Sequence, residues 1–166
     1  IGAAALAALA IIAAFVETIS SQRGGDFILH IGDPMVLIGL FIGGMVPFLI
    51  ASMTMTSVGE AAMEMIEEIR RQFREIPGLM EGTADPDSAK CVDIATTAAL
   101  RRMLAPGIIA VAVPIVVGFG LGAEALGGCL GGALLGCVLL ALTMANAGGA
   151  WDNAKKYVEK GNLGGK

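Results

Sequence analysis

Three long stretches of this chain contain no charged residue. Positions 34–59, 103–123 and 125–151 hold no Asp, Glu, Lys or Arg, and positions 1–16 form a fourth apolar run. A helix needs about 20 apolar residues to cross the roughly 30 Å hydrocarbon core of a bilayer. Only 16% of the residues are charged, whereas soluble domains carry about 25%. The sequence therefore predicts an all-α, polytopic transmembrane helix bundle.

The expected helices extend beyond the apolar runs. After position 59, apolar residues keep recurring at spacings of three and four, which is typical of a helix: Met63, Ile66, Ile69 and Phe73. The second helix is therefore expected to bend near Pro47, to continue unbroken out of the bilayer into the cytoplasm, and to end at Pro77-Gly78. Asp33, and either Asp87 or Ser88, are expected to cap helix starts. As parts of one transmembrane domain, the helices are expected at about 1–16, 34–75, 88–122 and 125–160.

The basic residues lie on alternate connections between the apolar runs. Arg23 is the one basic residue between the first two runs, and the turn at Glu124 has none. The other ten lie in the connection 60–102 and in the tail after position 151. The positive-inside rule places these ten in the cytoplasm. We therefore expect a multi-pass protein of the cell (inner) membrane with the Lys155 end cytoplasmic and Arg23 on the opposite side.

Small residues dominate the last apolar run. Gly128, Gly132 and Gly136 fall at every fourth position, the spacing that lets helix backbones approach closely in lipid. This stripe is expected to pack inside the bundle or, as an alternative, at a subunit interface. Three cysteines show no CxxC spacing, so packing residues are expected rather than a disulfide framework or a zinc site: Cys91, Cys129 and Cys137.

The polar tail continues the last apolar run as a helix. Asp152, Lys155, Lys156 and Glu159 are spaced at i, i+3, i+4 and i+7, so they share one helix face. One interpretation is a solvated face with ion pairs. The other is a site for a metal-bound polyphosphate, because a carboxylate suits Mg²⁺ and ammonium groups neutralise phosphate oxygens. The spacing alone leaves both interpretations open.

The sequence of this tail resembles a known family. Residues 148–157 read GGAWDNAKKY, which is similar to the signature of the membrane-bound pyrophosphatases, the pyrophosphate-energised proton and sodium pumps. Residues 53–59, 68–73 and 76–83 are also similar to family sequence, in the same order. The resemblance covers nearly the whole chain and is weakest at 17–27.

The resemblance implies a fragment of the family's C-terminal region, about the twelfth to fifteenth transmembrane helices of a homodimeric pump. It implies that Asp152 binds Mg²⁺ and that Lys155 and, less directly, Lys156 bind pyrophosphate, with K⁺ as a further activator in some members. The main catalytic carboxylates are expected outside this stretch. Asn146 is expected to make an interhelical hydrogen bond or to line the ion path. The implied function is hydrolysis of pyrophosphate to two phosphates coupled to H⁺ or Na⁺ translocation across the lipid bilayer.

Other functions fit the sequence less well. A non-enzymatic scaffold or channel subunit explains the apolar runs and the charge asymmetry, but it does not explain the ordered motifs. A phosphate-binding transporter subunit predicts polar residues inside the membrane runs, where Asn146 stands out among a few Ser and Thr residues. Nucleic acid is not an expected partner, because no basic face with exposed aromatic residues is found.

Overall fold

The described part of the chain, residues 1–164 of a computed structural model, is helical and contains no strand. Its helices are α1 (Gly2–Arg23), α2 (Pro34–Glu75), α3 (Ser88–Arg102), α4 (Leu104–Leu121) and α5 (Ala123–Glu159), followed by a short 3₁₀ turn at Asn162–Gly164. Among these residues, four helical spans are long and apolar enough to cross a membrane, with α3 and α4 counted as one span. The all-α fold is therefore confirmed.

The first helix is longer than the apolar run that predicted it. The expected helix covered about 1–16, whereas α1 continues to Arg23. Residues 17–23 are polar except for Ile19, and they include no Gly or Pro, so the helical hydrogen bonds have no reason to stop at Val16. Gly24 ends the helix in the left-handed conformation, at φ 68°, and its N–H bonds to the Ser20 carbonyl.

The second helix has the predicted continuity. α2 runs unbroken from Pro34 to Glu75 and includes Pro47. The Met35 N–H donates to the Asp33 carboxylate at 2.7 Å, so Asp33 caps the start of the helix as expected. The helix ends two residues before Pro77, because a residue that precedes proline is driven out of the helical region.

The expected helix 88–122 is divided at Met103. Asp87 caps α3 by accepting the Lys90 N–H at 3.0 Å, and α4 starts again at Leu104. Pro106 explains the division, because it has no N–H for the carbonyl of Arg102 and its ring crowds that carbonyl. The next boundary falls at Gly122, which has φ 97°.

The chain forms two compact units, residues 1–48 with 113–164, and Leu49–Ala112. In the first unit, the glycine stripe of α5 packs on α2. A Cβ atom on Gly132 would overlap the backbone of Leu40 and Gly44, and a Cβ atom on Gly128 would overlap that of Val36. The packing inside the bundle that the stripe predicted is therefore present.

Ionic and apolar contacts complete the first unit. Cys129 is buried beside Val117 and Ala125, so it is the packing residue that the sequence predicted. Arg23 donates to the Glu124 carboxylate at 2.5 Å and joins the end of α1 to the start of α5. These two helices therefore run antiparallel, as the charge distribution predicts.

In the second unit, α3 runs back along the second half of α2. Gln72, only 2% exposed, joins the two helices at one end. Its amide donates to Glu68 at 2.8 Å and to the Asp87 carbonyl at 3.0 Å, and its carbonyl oxygen accepts the Asp87 N–H at 2.9 Å. We call these three residues the Gln72 cluster.

Arg102 joins the other end of this hairpin. Its guanidinium pairs with Glu60 and with Glu64, the latter at 2.7 Å, and it donates to the Ser57 carbonyl at 3.2 Å. Because all three partners lie on consecutive turns of α2, the contacts fix the end of α3 to the point where the charge-free stretch of α2 ends.

Candidate functional site

The predicted site residues lie on the C-terminal half of α5. Residues 142–161 are all exposed within the described chain, including Trp151, of which 77% is accessible. This half of α5 therefore presents its polar face without support from the other described helices.

Asp152, Lys155 and Lys156 do share one face, and the structure pairs them in a definite way. The Lys156 ammonium lies 2.6 Å from the Asp152 carboxylate, and the Lys155 ammonium lies 3.6 Å from Glu159. Both are i, i+4 pairs, and about half or more of each of the four side chains is exposed. The ion pairs expected for a solvated face are thus present, and Asp152 lies within about one helical turn of both ammonium groups.

Asn146 lies about 9 Å before Asp152 along the helix axis, at 1.5 Å per residue. Its side-chain amide donates to the Leu142 carbonyl of the same helix at 2.9 Å. The interhelical bond expected for this residue is not among the contacts of the described chain, where the amide bonds to its own helix. A role in the ion path stays a prediction.

The side chains of this face fit a magnesium site in which the protein supplies one carboxylate and the substrate supplies phosphate oxygens. Within the described residues, no group of three His, Cys, Asp or Glu side chains is arranged to hold a metal on its own. Mg²⁺ characteristically binds through one or two carboxylates together with substrate phosphates and water. Asp152 supplies one such carboxylate, and the adjacent ammonium groups suit the phosphate oxygens that would complete the coordination.

Apart from the helix caps at Asp33 and Asp87, the sequence did not predict the polar contacts away from α5. Glu68 lies beyond the charge-free stretch of α2, and hydrogen bonds from Arg71 and then from Gln72 lower its pKa to about 2. The i, i+3 spacing of Glu68 and Arg71 could have identified their pair. The link from Gln72 to Asp87 spans 15 residues, and no local pattern signals it.

Comparison with known proteins gives the same family as the sequence motifs, and the similarity covers the whole chain. The family model described as inorganic H⁺ pyrophosphatase matches residues 1–166. A Clostridium tetani protein named for a K⁺-stimulated pyrophosphate-energized sodium pump is 55% identical over all of this chain and 24% of its own length. K⁺-insensitive pyrophosphate-energized proton pumps of Methanosarcina mazei and Chloroflexus aurantiacus are 49% and 50% identical over the whole chain, which covers 24% and 23% of them.

The chain thus spans about a quarter of the length of these curated relatives. The match of the family model is continuous from the first residue to the last. The chain belongs to the inorganic H⁺ pyrophosphatase family.

Proposed function

We propose that this chain works as part of a membrane pump that hydrolyses inorganic pyrophosphate to two phosphates and couples the reaction to H⁺ or Na⁺ translocation. The observation that carries the proposal is the match of the family model over the whole chain, together with relatives named as pyrophosphate-energized pumps. The four apolar helical spans support a membrane location. A scaffold or channel subunit would not require this family membership.

Within that pump, the polar face of α5 is proposed to bind the substrate. Asp152 would hold Mg²⁺, and Lys155, with Lys156 beside it, would hold phosphate oxygens. Bound Mg²⁺ would neutralise phosphate charge and favour the leaving phosphate. Ammonium groups fixed on a helix add to that stabilisation, and their contribution grows where a closed site excludes water. No residue of this chain is proposed to activate the attacking water.

The orientation and assembly of the protein are proposed from the same features. The basic connection 60–102 and the tail would lie in the cytoplasm of a cell (inner) membrane, so that Lys155 meets cytoplasmic pyrophosphate. Residues 142–161 are exposed in this chain, and further helices of a longer protein would cover them. The complete pump is proposed to be a homodimer, with K⁺ as an activator if it follows the relative named as K⁺-stimulated.

A transport assay of the full-length protein tests this proposal. The protein is reconstituted into lipid vesicles, and phosphate release is measured together with the internal H⁺ or Na⁺ concentration. We expect release of two phosphates per pyrophosphate, ion accumulation that an ionophore collapses, and loss of both after Mg²⁺ is chelated. A folded and inserted protein that neither hydrolyses pyrophosphate nor moves ions would contradict the proposal and favour the scaffold or channel function.

A further inference from the structure

The two lysines of the α5 face are held differently. The Lys156 ammonium is 2.6 Å from an Asp152 oxygen, within hydrogen-bond distance, whereas the Lys155 ammonium is 3.6 Å from Glu159. The chain order also differs, since the acid precedes the base in the first pair and follows it in the second. An acid that lies N-terminal to its base gives the stronger i, i+4 pair. Lys155 is therefore the more weakly held of the two ammonium groups.

The tighter pair involves the residue that would bind the metal. A carboxylate oxygen that accepts from an ammonium group is less available to a cation, because both compete for the same negative charge. A divalent ion on Asp152 would in turn weaken its attraction to Lys156 and repel that ammonium. Metal binding at Asp152 and the pairing of Lys156 therefore oppose each other.

We propose that Mg²⁺ binding at Asp152 weakens the Asp152–Lys156 ion pair, so that Lys156 is more available to pyrophosphate oxygens once the metal has bound. Lys155 is available to the anion with or without the metal. This inference rests on the proposed function, because it assigns an order of events to the same site. The inference assigns different roles to the two adjacent lysines, whereas their positions in the sequence do not distinguish them.

The release of Lys156 links the two ligands thermodynamically. Mg²⁺ frees a cation for the phosphate, so metal binding strengthens anion binding through Lys156, and the anion strengthens metal binding by the same factor. Without an anion, however, Lys156 only competes with the metal. Removing its charge should therefore strengthen Mg²⁺ binding to the free pump while weakening the metal's effect on the anion.

Calorimetric titration of the purified full-length pump with MgCl₂, without pyrophosphate, tests this linkage. Lys156→Gln should bind Mg²⁺ about two-fold more tightly, the factor that corresponds to an exposed i, i+4 pair, and more if the site excludes water. Lys156→Arg preserves the pair and should retain the wild-type affinity. Lys155→Gln removes the same charge at the adjacent position, where the ammonium does not pair with Asp152, and it should strengthen Mg²⁺ binding less than Lys156→Gln does.

A second titration measures binding of a non-hydrolysable diphosphonate at low and at saturating Mg²⁺. Lys156→Gln should reduce the ratio of the two affinities, while Lys155→Gln should weaken binding equally at both. Unchanged Mg²⁺ affinity in Lys156→Gln, or an equal gain in Mg²⁺ affinity in Lys156→Gln and Lys155→Gln, would overturn the inference.

Asp152→Asn distinguishes a failure of this inference from a failure of the proposed metal site. If Asp152→Asn also leaves Mg²⁺ binding unchanged, Asp152 does not bind the metal. Lys156→Met with the same thermal unfolding midpoint as wild type provides a second test if Lys156→Gln folds poorly.

Discussion

Replacing Gln72 with leucine should loosen the α2–α3 hairpin without disturbing the membrane helices. Leucine has a similar size but removes three hydrogen bonds of 2.8, 2.9 and 3.0 Å from a side chain that is 2% exposed. It also leaves the Asp87 N–H, at the start of α3, without its acceptor. A net hydrogen bond contributes about 0.5–1.5 kcal/mol, and a buried group without a partner costs about 1–3 kcal/mol. The local free energy of opening should therefore fall by about 2–4 kcal/mol.

Hydrogen exchange of the full-length protein, analysed in peptides that cover residues 68–91, measures this opening directly. A fall of about 2 kcal/mol corresponds to roughly 30-fold faster exchange of the protected amides. Gln22→Leu makes the same chemical change at an exposed position of α1 and should leave exchange in these peptides unchanged. Exchange in Gln72→Leu within about two-fold of wild type would refute the assignment of the Gln72 cluster as the contact that holds α3 on α2.

Three further predictions concern charge, packing and orientation. The folded-state pKa of Glu68, about 2, is below its usual value. The stability that this carboxylate contributes should therefore persist above about pH 4.5 and be lost as the pH falls toward 2. In Glu68→Gln, the rate of hydrogen exchange should depend less on pH over this range than in wild type. Gly132→Ala should destabilise the packing of α5 on α2 by at least about 1–3 kcal/mol, whereas Gly131→Ala, with nothing within 4 Å of its Cβ position, should be tolerated in a detergent unfolding assay. Cysteines placed at Arg23 and Lys155 should label from opposite sides of sealed vesicles, and labelling of both from one side would contradict the proposed topology.

The features that sequence predicted correctly depend on local signals. The length of α2 follows from apolar spacing that continues beyond position 59, and Asp33 and Asp87 have the side chains that cap helices. The common face of Asp152, Lys155 and Lys156 follows from the helical repeat. The end of α1 was misplaced because the end of an apolar run is not the end of a helix.

The unpredicted features depend on contacts between distant residues. Arg23 and Glu124 are 101 positions apart, and Arg102 lies 42 positions from Glu60. Separations this long do not correspond to any repeat of a helix, so these partners can be identified only from the folded backbone. On α5 the repeat allows Asp152 to meet either lysine, at i+3 or i+4. Side-chain conformation decides that it pairs with Lys156.

The most direct test of the central claim is pyrophosphate hydrolysis by the full-length pump with single substitutions on the α5 face. If Asp152 and Lys155 bind the Mg²⁺–pyrophosphate complex, Asp152→Ala and Lys155→Ala should each lower kcat/KM by about 10²–10³-fold, or about 2.7–4 kcal/mol, as expected when one preorganised electrostatic contact is removed. Lys160→Ala, just beyond the end of α5, should change activity little, because an exposed charge contributes about 0–1 kcal/mol. Near-normal hydrolysis by a folded, membrane-inserted Lys155→Ala pump would contradict the claim and leave the α5 face as a solvated surface with ion pairs.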